Sequence, residues 1–436
     1  MICSSCGILS SFVGKPRSIW EDGFLSALLF SSVIGYLSLR GWTNITLFLA
    51  LILVAFRWQS VWPEARAYVP ELRGVMLVLF LPIAVLLISQ AARQDWIVKA
   101  YDGPARMLIC IPLMLYLCTK RMDFARLLGV AAPLALFVLV AEVKLNPSAS
   151  AFWGGRFATY FVDTDTFGVY ALIFATFCLF SIDRATAACG KWLLALQLAG
   201  VVAGGYLLIG SQTRGAWVAL PIVFALWFIL RGRTMDRRYL LTLSGGLLLG
   251  LMLALVLFPG AAARLSSVFN EVSMWRSGAH RDSSAGLRLT MWHMSWELFK
   301  HSPLFGYGDT GFRVYLNEPW ITSFASLDAR STILNGPHNE FLANILRSGV
   351  LGGVAVIGLF LAPFRVFWRQ RSCQDAQVAK ASHIGMAYLV CLMVSSISFE
   401  VFNLKYTSTF YGIVISCLVA QVVSGQRLAG RSQDSI

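Results

Sequence analysis

The sequence predicts an all-α polytopic membrane protein with about 12 transmembrane helices, and three observations support this fold class. Of the 436 residues, 57% are hydrophobic and only 13% are charged, whereas soluble domains carry about 25% charged residues. Apolar runs of roughly 15–20 residues recur along the chain, near the length that crosses a bilayer as a helix. The alternating segments of roughly ten residues that a transmembrane β-barrel needs are absent.

The predicted spans follow these apolar runs in chain order. They group into an N-terminal bundle of about nine helices (1–258), a long and partly helical loop between the ninth and tenth spans (259–348), and C-terminal helices with a short tail (349–436). The spans lie near 24–39, 43–56, 74–92, 104–118, 127–143, 166–181, 191–209, 216–230, 240–258, 349–364, 383–399 and 407–423.

The N-terminus shows no cleavable signal sequence. Its first 23 residues are polar and mixed, with Pro16 and the pair Glu21-Asp22, and the first apolar run continues as a full span. This arrangement predicts a signal anchor. Cys3 and Cys6 have CxxC spacing, but no second pair follows, so a reduced terminus is the simpler interpretation.

Lysine and arginine counts predict the orientation of the chain. The loops and termini on one side of the predicted spans hold 20 of these residues, and the short loops on the other side hold 8. Because cytoplasmic loops are enriched in basic residues, both termini are predicted to be cytoplasmic and the long loop to lie outside. The net charge of +14 suits anionic headgroups; it does not indicate nucleic acid, since the basic residues are scattered through short loops.

The long loop holds four of the five histidines. The stretch Arg264–His280 is mixed in character and is consistent with a short interfacial helix. From Leu287 to Lys300, Leu289, Trp292, Trp296 and Phe299 recur at helical spacing, which predicts a surface helix anchored by tryptophans. The turn at residues 306–311 has GxG spacing, but no strand precedes it, so a dinucleotide fold is excluded and phosphate binding is only weakly indicated.

The second loop helix is predicted from about His338 to Arg347. His338, Leu342 and Ile345 fall at helical spacing, which predicts that His338 lies in the first turn. The free N–H groups and positive dipole end of a helix N-terminus favour an anion there. The same dipole disfavours imidazolium, so His338 is predicted to be neutral and able to accept a proton.

Three arginines are candidate anion ligands. Arg214 lies in a very short outer turn, where a charge so near hydrocarbon needs water or a partner. Arg156 lies in another outer loop, and Arg288 lies on the predicted surface helix. An arginine fork binds two phosphate oxygens at once and keeps its charge. Taken singly, His338 and these arginines fit structural roles better than functional ones, and only their combination favours a site.

The other loop histidines are predicted to be structural. His280, His293 and His301 lack carboxylates at the spacing that a metal site needs, so no metal site is predicted.

Three sequence blocks in order resemble the O-antigen ligase and O-antigen polymerase superfamily of bacterial inner-membrane glycosyltransferases. They are SQTRG at 211–215; the stretch 288–308 with Trp292, Pro303, Gly306 and Gly308; and PHNEFL at 337–342, which continues to GVLG at 349–352. The resemblance covers roughly residues 150–365 by motif and the whole chain by span number. Length, positive charge and the single long loop favour the ligase branch.

This resemblance implies a periplasmic site that transfers a preassembled glycan from undecaprenyl diphosphate to a sugar hydroxyl of lipid A–core, with inversion and without a cofactor or metal. It implies His338 as general base and Arg214 and Arg288 as diphosphate ligands. Arg156, Gln212, Asn339 and Glu340 are supporting candidates. The segment 161–165 departs from the Pro-Asn pair frequent in the superfamily, which leaves the role of Arg156 open.

Three alternatives stay open at this point. An O-antigen polymerase would use the same donor with a second lipid-linked glycan as acceptor, and a protein O-glycosyltransferase would use a protein. A secondary transporter would need acidic residues and broken helices at mid-membrane. The spans are nearly free of carboxylates, with Glu142 and Glu400 at their outer ends, which disfavours transport.

Overall fold

A computed structural model of the protein describes residues 19–120, 122–182, 190–232 and 259–433, with scattered residues between 238 and 256. Within these ranges the chain is helical and has no strand. Two predictions fall outside them: the arrangement of the Cys3 and Cys6 pair, and most of the ninth span (240–258).

The described residues before 233 are mainly α-helical. They are α1 (Ile19–Ile34), α2 (Trp42–Ala65), α3 (Val69–Arg93), α4 (Asp102–Leu108), α5 (Cys110–Cys118), α6 (Phe124–Leu145), α7 (Pro147–Phe152), α8 (Thr164–Ser181), α9 (Lys191–Ser211) and α10 (Arg214–Arg231).

Helices from residue 259 onward form the loop region and the C-terminal spans. They are α11 (Pro259–Ser277), α12 (Ser284–His301), α13 (Pro319–Thr322), α14 (Leu327–Thr332), α15 (Glu340–Gln370), α16 (Ala376–Ser395) and α17 (Lys405–Gln433). The helix expected near Arg264–His280 is therefore α11, which begins five residues earlier. The helix expected from His338 begins two residues later.

Eight helical segments in the described part of the chain are long and apolar enough to cross a membrane. One of them, Trp42–Arg93, holds two predicted spans, because α2 and α3 continue into each other through a short 3-10 turn. The predicted span at 104–118 is divided into α4 and α5 near Ile109. The polytopic helical class is confirmed, and the number of twelve spans stays a prediction.

Helix α8 lies at the centre of the bundle. It packs against α6, α9, α10 and α16, and nearly all of its side chains are buried. Asp163 begins it as an N-cap, and its Oδ1 accepts from the N–H groups of Asp165 and Thr166, both at 2.9 Å. Because α8 is apolar on all sides, it can lie inside the bundle, and its N-terminus carries two carboxylates to one end of the protein.

Helix α15 contains a kink where the loop joins the C-terminal spans. Ser348 and Gly349 leave helical geometry, with φ of 61° at Gly349. The kink exposes the carbonyls of Leu346 and Arg347, which accept from the N–H groups of Tyr307 at 2.7 Å and Gly308 at 2.9 Å. The GxG turn thus pairs with a broken helix, and its backbone N–H groups at 307 and 308 are used in the fold.

The loop region has a small hydrophobic core of its own. Met291, Met294 and Leu298 of α12 pack there with Ile321 and Ile333. The buried face of α12 therefore differs from the predicted tryptophan stripe, and Trp296 is 51% exposed. The methionine face packs on protein, and of the predicted stripe Trp296 is exposed whereas Leu289, Trp292 and Phe299 are half-buried.

Candidate active site

His338 lies before α15 and not in its first turn, which corrects the sequence-based placement. Asn339 is the N-cap, and its Oδ1 accepts from the N–H of Leu342 at 3.1 Å. His338 has φ of 50°, a left-handed conformation that non-glycine residues adopt rarely. Such a geometry persists only when the surroundings hold it. The side chain therefore leaves the chain from a sharp turn and does not follow the helix face.

The segment after α16, residues 396–402, holds this turn. Glu400 accepts from the His338 backbone N–H at 3.1 Å, and Asn339 donates its side-chain amide to the Ile397 carbonyl at 2.9 Å. The Glu340 carboxylate accepts from the Phe402 N–H at 2.8 Å. Three consecutive residues of the PHNEFL block thus dock on one short segment, which the sequence analysis did not single out.

The same segment contacts the SQTRG block. A Cβ on Gly215 would lie 1.8 Å from the Ser398 hydroxyl, so only glycine allows this approach. The Thr213 hydroxyl donates to the Thr164 carbonyl at 2.7 Å, at the start of α8. Gln212 ends α9 in the left-handed conformation. These contacts explain why the block contains small residues. They also place Arg214 at the first position of α10.

Asp165 connects two of the predicted arginines. Its Oδ1 accepts from Arg156 at 3.2 Å, and its Oδ2 accepts from Arg288 at 3.3 Å. Arg156 also donates to the Ser211 carbonyl at 2.9 Å. All three side chains retain roughly a quarter of their exposure, so the ion pairs stay accessible to a ligand.

Arg214 pairs with a different carboxylate. Its guanidinium donates to Glu271 Oε1 at 3.0 Å, and Glu271 Oε2 accepts from the Ala285 N–H at 2.8 Å. Ala285 lies in the first turn of α12, three residues before Arg288. Glu271 thus occupies the N-terminus of the helix that carries Arg288, the position that an anion would take.

The electrostatic environment keeps His338 neutral. Burial lowers the pKa of His338 most, the Arg288 charge lowers it further, and Asp165 and Asp163 oppose the shift. The imidazole therefore lies within the field of Arg288, Asp163 and Asp165, and at neutral pH it has a free nitrogen lone pair. Glu271 shows the complementary shift: partial burial disfavours its charge, but hydrogen bonds from Ala285 and Ser267 and the Arg214 charge hold its pKa below the usual range.

The remaining histidines of the loop have ordinary contacts. His293 stacks on Phe324 with ring centroids 4.2 Å apart, and His301 lies against Trp320 at 4.5 Å. His280 is exposed. Over the described ranges, no group of three or more histidine, cysteine or acidic residues is arranged to hold a metal ion.

The structure thus pairs Arg288 and Arg156 with Asp165, whose charge also acts on His338. Arg214 is paired with a second carboxylate, Glu271. Asn339 and Glu340 position the His338 turn. The sequence analysis did not identify Asp165, Glu271 or the support from Glu400, although segment 161–165 had been noted as unusual. In such an arrangement the arginines can bind an anion that displaces their carboxylates. The neutral imidazole can accept a proton beside that anion.

Comparisons with known proteins agree with the resemblance seen in the sequence. Residues 199–357 match a protein-family model described as O-antigen ligase. An uncharacterized protein of Haemophilus influenzae is 24% identical over 184 residues, which cover 41% of this chain and 45% of that relative. The chain therefore matches less than half of that relative's length. Arg214, Arg288 and His338 lie inside the family match, whereas Arg156, Asp165 and Glu400 lie outside it.

Proposed function

From the match of residues 199–357 to the O-antigen ligase family model, we propose that this chain transfers a preassembled glycan from undecaprenyl diphosphate to a sugar hydroxyl of lipid A–core. The protein is a multi-pass membrane protein, and in this proposal it lies in the bacterial inner membrane with both termini cytoplasmic and the site on the periplasmic side.

In the proposed reaction, the acceptor hydroxyl oxygen attacks the anomeric carbon of the donor glycan. A new C–O bond forms as the bond from that carbon to the diphosphate oxygen breaks, so the anomeric centre inverts. His338 takes the hydroxyl proton, and undecaprenyl diphosphate leaves with the electron pair. Because the donor already carries a good leaving group, the reaction needs charge stabilisation and a base.

The observation that carries this proposal is the pairing of partly exposed arginines with carboxylates beside a neutral, half-buried imidazole. A diphosphate would displace Asp165 from Arg288 and Glu271 from Arg214. It carries more negative charge and more acceptor oxygens than a carboxylate, and the arginine forks can bind these oxygens in pairs. Displacing Glu271 also opens the N-terminus of α12 to the anion. His338 then lies next to the bond that breaks.

The decisive experiment is transfer by the purified protein in liposomes with lipid-linked glycan and two acceptors, lipid A–core and a second lipid-linked repeat. Sugar gained by lipid A–core supports the ligase, whereas elongation of the lipid-linked repeat identifies a polymerase. Transfer to neither acceptor would contradict both functions.

His338→Ala tests the base in the same assay. Loss of general-base catalysis is worth roughly 10²–10⁴ in rate, and the exposed His280→Ala is the matched control. Near wild-type transfer by His338→Ala would remove His338 from the proposed role.

Arg214→Lys tests the fork geometry, since lysine keeps the charge but offers no bidentate contact. Loss of one transition-state charge contact is worth roughly 10²–10³ in rate. Arg276→Lys, on the exposed side of α11, is the control. Full activity of Arg214→Lys would assign this arginine to the fold.

A further inference from the structure

A groove with a cavity volume of about 400 Å³ lies beside the candidate active site. Its walls come from α7, the segment 153–163 and the start of α17. The lining includes five aromatic residues and one carboxylate, and no lysine or arginine. This composition is unlike the arginine-rich region around Asp165, so the two regions suit different chemical groups.

The aromatic rings of this groove are unusually exposed. Phe152 is 81% exposed, Tyr160 is 62% exposed and Trp153 is 38% exposed. Phe152 and Trp153 meet edge to face at 5.2 Å, and Tyr160 and Phe161 do so at 5.0 Å. Clustered apolar faces with polar edges are typical of binding surfaces.

A buried hydroxyl in the groove has no partner within the described structure. Thr159 is 2% exposed, and no hydrogen bond is formed by its Oγ1 to the described residues. Buried hydroxyls are nearly always hydrogen-bonded, because leaving one without a partner is destabilising. A ligand with hydroxyl groups would supply the missing bond.

The groove reaches the proposed base through Asp163. Asp163 lines the groove, and its charge acts on His338. A molecule in the groove would therefore lie against a carboxylate whose charge reaches His338.

We propose that this groove binds the sugar rings of the acceptor glycan and directs one hydroxyl toward His338. The inference rests on the proposed function. Sugar rings present C–H faces to aromatic rings and hydroxyls to Thr159 and Asp163. A diphosphate would meet a carboxylate without a cation, and a polyprenyl chain would leave the Thr159 hydroxyl without a partner, so both fit this groove less well.

The test compares acceptor and donor kinetics for Trp153→Ala, Tyr160→Ala and Thr159→Val in the liposome assay. We expect each aromatic substitution to raise the KM for lipid A–core by about tenfold, which corresponds to about 1.4 kcal/mol, while the donor KM stays unchanged. Trp96→Ala, a 61% exposed tryptophan outside the groove, is the control.

Thr159→Val separates a ligand contact from a structural one. Valine keeps the shape and removes a hydroxyl that has no protein partner, so thermal stability should not fall. The acceptor KM should still rise. A loss of stability without a change in acceptor KM would overturn the assigned role of Thr159.

Binding of delipidated core oligosaccharide, measured by thermophoresis with the full-length protein, distinguishes the two proposals. If the wild type transfers glycan and the groove variants keep their acceptor KM, the groove assignment is overturned and the function stands. If the wild type transfers nothing but binds the oligosaccharide, and Trp153→Ala loses that binding, the groove stands and the function fails. A rise in donor KM alone would assign the groove to the donor and overturn the proposal.

Discussion

At the residue scale, the site is a balance between cations and carboxylates that surround one imidazole. Asp165 is shared by Arg156 and Arg288, and Glu271 pairs with Arg214. Each carboxylate keeps its arginine oriented in the absence of ligand, which reduces the ordering cost on binding. Burial, Arg288 and Asp165 also act on the pKa of His338 and so influence the pH at which it can serve as a base.

The first prediction concerns Asp165→Asn and the pH dependence of transfer. Asp165 raises the pKa of His338 against the lowering by burial and Arg288. Without that charge the pKa falls further, so the acidic limb of kcat/KM against pH should move to lower pH. The exposed Asp328→Asn in α14 is the control. An acidic limb that does not move would show that another group carries this titration.

The second prediction concerns the support that Glu400 gives to the His338 turn. Glu400→Gln keeps an oxygen that accepts from the His338 N–H, whereas Glu400→Ala leaves this buried donor without a partner, at about 1–3 kcal/mol. We expect near wild-type transfer for the glutamine variant and a loss of roughly tenfold or more for alanine. Equal activity of the two variants would contradict a positioning role.

Because Glu400 is buried, the free energy of unfolding should also depend on pH. Burial raises its pKa to about 8, and the neighbouring Glu340 adds to the shift. The folded protein therefore holds a proton that the unfolded chain releases near pH 4.5. The contribution of protonated Glu400 to the free energy of unfolding is fully present below about pH 4.5, and it is lost as the pH rises through about 8. Melting temperatures of wild type and Glu400→Gln should diverge in this window, with the wild type falling more.

At the element scale, the site depends on elements that end near one another. The N-termini of α8, α10, α12 and α15 carry Asp165, Arg214, Arg288 and the His338 turn. The segment after α16 contacts two of these ends through Ser398 and Glu400. The kink in α15 lies where the loop region joins the C-terminal spans.

The third prediction tests that kink with Gly349→Ala. Gly349 has φ of 61° and ψ of −151°, and a Cβ there would lie 2.4 Å from the Leu304 backbone. Backbone strain of this kind costs on the order of 1–3 kcal/mol, so the melting temperature in detergent should fall. Gly205→Ala in α9, where a Cβ meets nothing within 4 Å, is the control. Equal melting temperatures would show that the kink tolerates a side chain.

At the scale of the whole molecule, the helical bundle presents the loop region and the groove at one end. The central helix α8 has its N-terminal carboxylates at that end, and the loop core packs on α15 through α12. A membrane-bound donor and a membrane-bound acceptor would approach such an end from two sides of the bundle. The predicted orientation makes this end periplasmic.

The fourth prediction tests that orientation with Val314→Cys. Val314 is 73% exposed in the loop region, and that loop, residues 259–348, contains no cysteine in the sequence. A membrane-impermeant thiol reagent should label Val314→Cys in intact spheroplasts. Gln374→Cys, exposed in the turn between α15 and α16, should react only after permeabilisation. The reverse pattern would invert the topology.

Much of the fold was predictable because membrane helices are local features. Hydrophobic length and helical spacing depend on residues near one another in sequence, so α6, α8, α9 and α16 lie close to their predicted spans. The His338 helix was misplaced by two residues because spacing does not distinguish a first turn from a cap. The decisive features, Asn339 as N-cap and the bond to Glu400, involve backbone angles and a contact 62 residues away.

The sequence by itself determined the helical membrane class and the polar loop, and it offered His338, Arg214 and Arg288 as candidate site residues, because composition, periodicity and short motifs are properties of neighbouring residues. Only the tertiary structure decided which carboxylates those arginines hold, that Glu400 supports the His338 turn, and that an aromatic groove adjoins it. These contacts connect helix ends far apart in the chain. Their geometry follows from how the bundle packs around α8, and no local pattern encodes that packing.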